Sequence, residues 1–258
     1  MKLTVLGNAG RYLAPLTGGT SYLVEHGETR VLLDAGQGAR VALAAQGVER
    51  LDAVVLSHFH FDHVLDFVTL LPLLDERSVV VIPPGERARL GALAKAYAFQ
   101  GDFDMPCDPV EAREPLGVVP QNGAEKAWPA GHAGLAVGAL RLAFAPTQHS
   151  APSFATRIGG LVYASDTASC HGLRALARDA ELLLMHTLLP TVEATSHHAR
   201  AHSTAETAGA LAAEVGAKRL LLSHRYHESP DAAMREAASA HHEGVELARE
   251  GEAVEIRG

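Results

Sequence analysis

Cysteine is scarce in this sequence: Cys107 and Cys170 are the two among 258 residues. Two thiols cannot build a disulfide framework, and neither sits in a C-x-x-C pair, so they read as free thiols in a reducing compartment. A surplus of basic charge is also missing. The 22 Lys and Arg face 30 Asp and Glu, for a formal net charge of −8. That argues against broad, sequence-independent binding of phosphate backbones, and no stable nucleic-acid complex is expected. No apolar run approaches the length of a membrane span. The first residues, Met1-Lys2 and a short apolar stretch broken by Gly7-Asn8, lack the apolar core of a signal peptide. A soluble, cytoplasmic protein with no membrane partner is expected.

What is abundant is histidine, 15 in all. Imidazole is a common metal ligand and titrates near neutrality, so the question is which histidines converge. The chain alternates short apolar runs with helical patterns. Leu3 to Leu6, Thr20 to Glu25, Arg30 to Asp34, Leu51 to Ser57 and Val79 to Ile82 read as strands, with a hairpin turn at His26-Gly27-Glu28. Ala139 to Ala145, Ala155 to Ile158, Leu161 to Ala164, Glu181 to Met185, Arg219 to Ser223 and Ala253 to Ile256 read likewise. Helical patterns cover 38–47, 62–74, 86–99, 171–178 and 204–215. Ser203 followed by Glu206 predicts a capping box for the 204–215 helix, and Ser229-Pro230 predicts an N-cap and first turn of a further one. Residues 100–134, rich in Pro and Gly and without a period, read as a loop insertion. Strand hairpins mixed with helices in both halves predict an α/β fold, sheets inside and helices outside. There is no short-period repeat, and 1–258 reads as a single domain built of two halves.

The chemistry gathers behind the strand 51–57, in His58-Phe59-His60-Phe61-Asp62-His63. On an extended segment leaving a strand, His58 and His60 point the same way. Asp62 and His63 follow at the turn into a helix. Four ligand-type side chains within six positions at one strand end predict a metal site. Imidazole nitrogen with carboxylate oxygen suits zinc first, with manganese or iron as alternatives.

This H-x-H-x-D-H segment resembles the signature of the metallo-β-lactamase fold superfamily. The resemblance extends along the chain. His149 follows the strand 139–145, Asp166 lies in Tyr163-Ala164-Ser165-Asp166-Thr167 after the strand 161–164, and His224 follows the strand 219–223. It implies a four-layer αββα sandwich and two divalent metal ions. His58, His60 and His149 would hold one ion, and Asp62, His63 and His224 the other, with Asp166 bridging. It further implies hydrolysis by a metal-bound hydroxide that Asp62 orients or deprotonates. Ala201-His202-Ser203-Thr204 and Met185-His186-Thr187 are similar to the H-S-T and H-E-A-T segments of the ribonuclease Z and phosphodiesterase branch. That likeness makes His202 a catalytic candidate, with His186, Ser203 and Thr204 supporting it or touching substrate. His202 also precedes a helix N-terminus, a natural seat for a phosphate oxygen.

Two departures matter. Thr187 replaces the Glu that partners the catalytic histidine in that branch, with Glu193 or Glu206 as candidate substitutes. The Gly-rich arm with which ribonuclease Z enzymes grip tRNA is missing between His149 and Asp166. The expected activity is therefore hydrolysis of a small nucleotide or RNA-end phosphodiester, with a homodimer left open. A lactone or thioester hydrolase fits the same ligands. A β-lactamase, a di-iron oxidoreductase and a non-catalytic metal-binding protein fit less well. The first has no secretion signal here, the second needs Glu at position 60, and the third would be expected to lose ligands.

Overall fold

The computed structural model describes residues 1–10, 17–97, 105–112, 134–193, 196, 198–226 and 228–257. Among these, the N-terminal half supplies β1 (Lys2–Gly7), β2 (Ser21–His26), β3 (Thr29–Leu33), β4 (Ala53–Val55), β5 (Val79–Ile82) and β6 (Val110–Glu111). With β14 (Ala253–Glu255) they form a seven-stranded sheet in the order β14-β1-β2-β3-β4-β5-β6. The second half supplies β7 (Leu135–Val137), β8 (Leu140–Pro146), β9 (Phe154–Ile158), β10 (Leu161–Tyr163), β11 (Leu182–His186), β12 (Leu220–Ser223) and β13 (Val245–Leu247). Their order is β13-β12-β11-β10-β9-β8-β7. Read from β14 and from β7, the two sheets share one pattern. Three antiparallel pairings are followed by three parallel ones, the latter starting at β3–β4 and at β10–β11.

The period-two alternation of the apolar strands explains the layers. In β11, Leu182 and Leu184 pack between the sheets, while Leu183 and Met185 face helices. In β4, Ala53 and Val55 turn to the other sheet, and Val54 turns outward with Leu56. Strands buried on both faces must be apolar at every position. The outer layer of the first sheet contains α1 (Ala39–Ala45) and α3 (Arg87–Tyr97), and that of the second contains α4 (His171–Ala177), α5 (Ala205–Glu214) and α6 (Asp231–Ser239). This is the expected four-layer αββα sandwich. No helix among the described residues is long and apolar enough to cross a membrane.

Several sequence expectations are corrected. The 62–74 helix is instead a one-turn α2 (Phe61–Val64) and a 3₁₀ segment Phe67–Leu73 that contains Pro72, which lacks the N–H a continuous helix needs. Residues 110–111, inside the expected 100–134 insertion, form β6, parallel to β5. Positions 98–104 and 113–133 lie outside the described residues. Strands β6, β7 and β13 were not expected, being too short to show a period. The α6 N-cap is Pro230, one residue later than expected, because the Ser229 hydroxyl donates to the Leu188 carbonyl at 2.8 Å.

The α5 cap also moves by one residue. Thr204 accepts from the Thr207 amide at 3.2 Å, and the Thr204 amide donates to the Thr207 hydroxyl at 2.8 Å. The Ser203 hydroxyl is committed elsewhere, to the Thr167 carbonyl at 2.8 Å. Glu206 is exposed. Thr204→Ala should therefore cost about 0.5–2 kcal/mol of unfolding free energy. Glu206→Ala should stay within about 0.5 kcal/mol. Chemical denaturation of both variants checks this, and the reverse ranking would restore the Ser203–Glu206 box.

Candidate metal centre

The strand ends of both sheets meet at one edge of the sandwich. His58 leaves β4 one turn before α2, which carries Asp62 and His63. His149 follows β8, Asp166 follows β10, His186 ends β11 and His224 follows β12. Backbone bonds strap α2 into place. The Thr20 amide donates to the Asp62 carbonyl at 3.1 Å, and the Ala35 amide to the His63 carbonyl at 2.7 Å. Gly36 permits this approach, since a Cβ there would overlap the Asp62 carbonyl oxygen.

Two groups of donors result. His58, His60, His149 and Asp166 form one, and His63, Asp166, His186 and His224 the other; within each, the donor atoms lie within 4.8 Å of one another. Asp166 belongs to both. In the first group His60 Nδ1 is 3.0 Å from His58 Nε2 and 3.2 Å from His149 Nε2. Three imidazole nitrogens aimed at one another repel unless a cation or shared protons lie between them. Nitrogens bound at about 2.0–2.1 Å to a tetrahedral zinc stand roughly 3.3 Å apart, so the spacing fits. In the second group His63 Nε2 is buried without a hydrogen-bond partner, 3.7 Å from Asp166 Oδ2. An orphaned buried nitrogen facing a carboxylate also fits a metal. Asp62 stands at the rim, its Oδ2 3.6 Å from His224 Nε2 and 3.9 Å from His63 Nε2.

The rings are held from behind. Ser57 Oγ lies 3.1 Å from His58 Nδ1, and Thr20 Oγ1 lies 2.7 Å from His224 Nδ1. His149 Nδ1 donates to the Ala201 carbonyl at 2.9 Å, and His63 Nδ1 to Asp34 Oδ2 at 2.7 Å. Such contacts fix the tautomer and leave Nε2 facing the site. Asp34 was missed in the sequence reading. It is fully buried and also accepts from the Ser57 amide at 2.6 Å, the Ser57 hydroxyl at 2.7 Å and the Tyr163 hydroxyl. Its signal is a carboxylate that directly ends the apolar run Val31-Leu32-Leu33. Asp34, Ser165 and His224 all have positive φ, at 57°, 58° and 58°. For residues other than Gly this is strained backbone of the kind that clusters at functional sites.

Burial, reinforced by the neighbouring imidazoles, holds His58 and His224 well below the ordinary histidine range, in the neutral form that binds metals. Burial also pushes His63 down, but Asp34 and Asp166 outweigh it and raise it well above that range. Burial would lift Asp166, yet His224 and His63 draw it well below the usual carboxylate range. The centre thus offers an ionised Asp166 and the lone pairs of His58 and His224.

His202 lies at the mouth. Its side chain is 20% exposed, Nδ1 is 3.6 Å from Asp166 Oδ2, and its ring meets that of His149 edge-on at 4.8 Å. Thr187 pairs with Ser203 through the backbone, and its hydroxyl is buried without a hydrogen-bond partner. Glu193 and Glu206, the candidate partners of His202, are both exposed. Cys170 is buried in the core, with its thiol directed to the Pro146 carbonyl.

The family described as beta-lactamase superfamily domain matches residues 29–225. The probable metallo-hydrolase YhfI of Bacillus subtilis is 27% identical, over 97% of this chain and 98% of its own length. Its crystal structure superposes with a TM-score of 0.80 at 23% identity, covering 98% of this chain and 99% of that one. Ribonuclease Z of Salinibacter ruber is 27% identical over 80% of this chain and 79% of its own. The crystal structure of a diphosphatase of the PhnP family gives a TM-score of 0.75 at 19% identity, covering 99% and 98%. The donor cluster, the αββα layers and the family match agree: the chain belongs to the beta-lactamase superfamily and is a metal-dependent hydrolase.

Proposed function

We propose that this hydrolase uses two metal ions to cleave a phosphodiester of a small nucleotide or an RNA end. The observation that carries the reading is the pair of donor groups meeting at Asp166. His58, His60 and His149 would hold one ion. His63 and His224 would hold the other, with Asp62 at its rim, Asp166 between the two, and His186 bound through Nδ1 to Asp166 and not to the ion. A nitrogen-rich donor set suits zinc, with manganese or iron as alternatives. Bound divalent ions supply Lewis acidity and lower the pKa of water. Both halves contribute donors to this one centre, which supports treating the chain as a single domain.

The protein's own groups divide the remaining work. Asp62, at the rim, would orient the attacking water and take its proton. His202, at the mouth, would meet a phosphoryl oxygen or protonate the leaving oxygen. Ribonuclease Z and a diphosphatase among the similar proteins support a phosphoester substrate. One observation favours a second reading, a lactone or thioester hydrolase. By the resemblance to the ribonuclease Z branch, Thr187 stands where that branch carries Glu, so His202 would lack that support here.

Hydrolysis of an aryl phosphodiester by zinc- or manganese-loaded protein should fall about 10²–10⁴-fold in His202→Ala, with metal content unchanged. Lactone turnover that ignores His202, without diesterase activity, would sink the phosphodiesterase reading in favour of the second. Elemental analysis should find two ions per chain. Asp34→Asn, which weakens the carboxylate behind His63, should reduce metal affinity by about 10–100-fold; unchanged chelator competition would refute that role.

A further inference from the structure

Two tyrosines cross between the sheets beneath the donor groups. Tyr22 stands on β2 of the first sheet, fully buried. Its hydroxyl lies 3.0 Å from His186 Nε2 and 2.6 Å from Ser223 Oγ, both in the second sheet. Tyr163 stands on β10 of the second sheet, equally buried, and its hydroxyl donates to Asp34 Oδ2 at the end of β3. The two rings lie 5.5 Å apart. A buried phenol needs a partner for its hydroxyl. Each of these finds one in the opposite sheet: Tyr22 on His186, a member of the second donor group bonded to Asp166, and Tyr163 on Asp34, which is bonded to His63. His186 Nδ1 is 2.8 Å from Asp166 Oδ1, and Asp34 Oδ2 is 2.7 Å from His63 Nδ1.

We infer that Tyr22 and Tyr163 are reciprocal positioning residues, each using one sheet to set the orientation of a donor carried by the other: Tyr22 sets Asp166 through His186, and Tyr163 sets His63 through Asp34. The inference rests on the two-metal reading.

Geometry gives the Tyr22 chain its order. His186 Nδ1 donates to the Asp166 carboxylate, which leaves Nε2 to pair with the Tyr22 hydroxyl, and that hydroxyl also pairs with Ser223 Oγ. Asp166 Oδ1 is thereby tied down, and Oδ2 faces His58 at 3.9 Å, His63 at 3.7 Å and His202 at 3.6 Å. Without the Tyr22 hydroxyl, His186 Nε2 is left buried and unpaired. The ring can then turn, and the carboxylate shared by both donor groups turns with it. Donor placement within about 0.5 Å is what a metal centre requires.

Chelator competition and elemental analysis on zinc-loaded wild type, Tyr22→Phe and Tyr163→Phe test this. Wild type should hold two ions. Each variant, with its circular dichroism unchanged, should release its more weakly held ion about 10–100-fold more readily. Equal competition curves for all three proteins would overturn the inference, even with lowered melting temperatures, because a merely structural tyrosine changes stability and not zinc retention. A second measurement needs no variant. The ¹⁵N imidazole signals of His186 in zinc-loaded wild type should show Nδ1 protonated. A bare Nδ1 would overturn the Tyr22 chain. Fewer than two ions in wild type would overturn the two-metal reading and this inference with it. That result is read from wild type alone, so the two failures are distinguishable.

Discussion

A carboxylate buried between two sheets is costly unless cations and hydrogen-bond donors surround it, and this molecule is organised around such a group. Asp166 sits on a strand end of the second sheet and faces His58 and His63, which the first sheet supplies. His186 and His224 reach it from its own sheet. Its ionised state requires positive charge close by, in the form of protons or metal. Asp34 poses the same problem on the other sheet and solves it differently, through four hydrogen bonds that include His63. The donor centre is therefore a consequence of how two buried carboxylates are offset.

That constraint reaches outward into the backbone. Parallel neighbouring strands end on the same side, so β3, β4, β10, β11 and β12 deliver their following residues to one edge. Apolar residues on both faces of these strands lock the sheets into place and leave the strand ends with little freedom. The strained φ values at Asp34, Ser165 and His224 are held by that packing.

How much of this was legible in the sequence depended on distance along the chain. The segment His58 to His63 could be read because its donors are neighbours and the strand before it is apolar throughout. His149, Asp166 and His224 could be placed because each follows a recognisable strand. The groups that hold the rings could not. Tyr22 meets a histidine 164 residues away, and Thr20 meets one 204 residues away. Tyrosine in an apolar strand looks like ordinary core. Asp34 looks like the polar end of a strand until Ser57, His63 and Tyr163 are seen to converge on it. Local signals failed by small steps for equally physical reasons. Ser203 and Ser229 both resemble helix caps, but each hydroxyl finds a carbonyl in another segment, and the cap moves one residue onward.

The repeated strand order of the two sheets has a consequence for where a centre can form. Matched from their edges, β3 corresponds to β10, β4 to β11 and β5 to β12. Asp34 directly follows β3, whereas Asp166 comes three residues after β10; His58 comes three residues after β4, whereas His186 is the last residue of β11. Pro83 follows β5 and His224 follows β12. Matched strands thus carry like residue types at unlike depths. Asp34 is taken up by His63 and Ser57 within its own sheet, and Asp166 faces the histidines of both sheets. The offset gives the molecule one centre, at the seam between the sheets, in place of one on each.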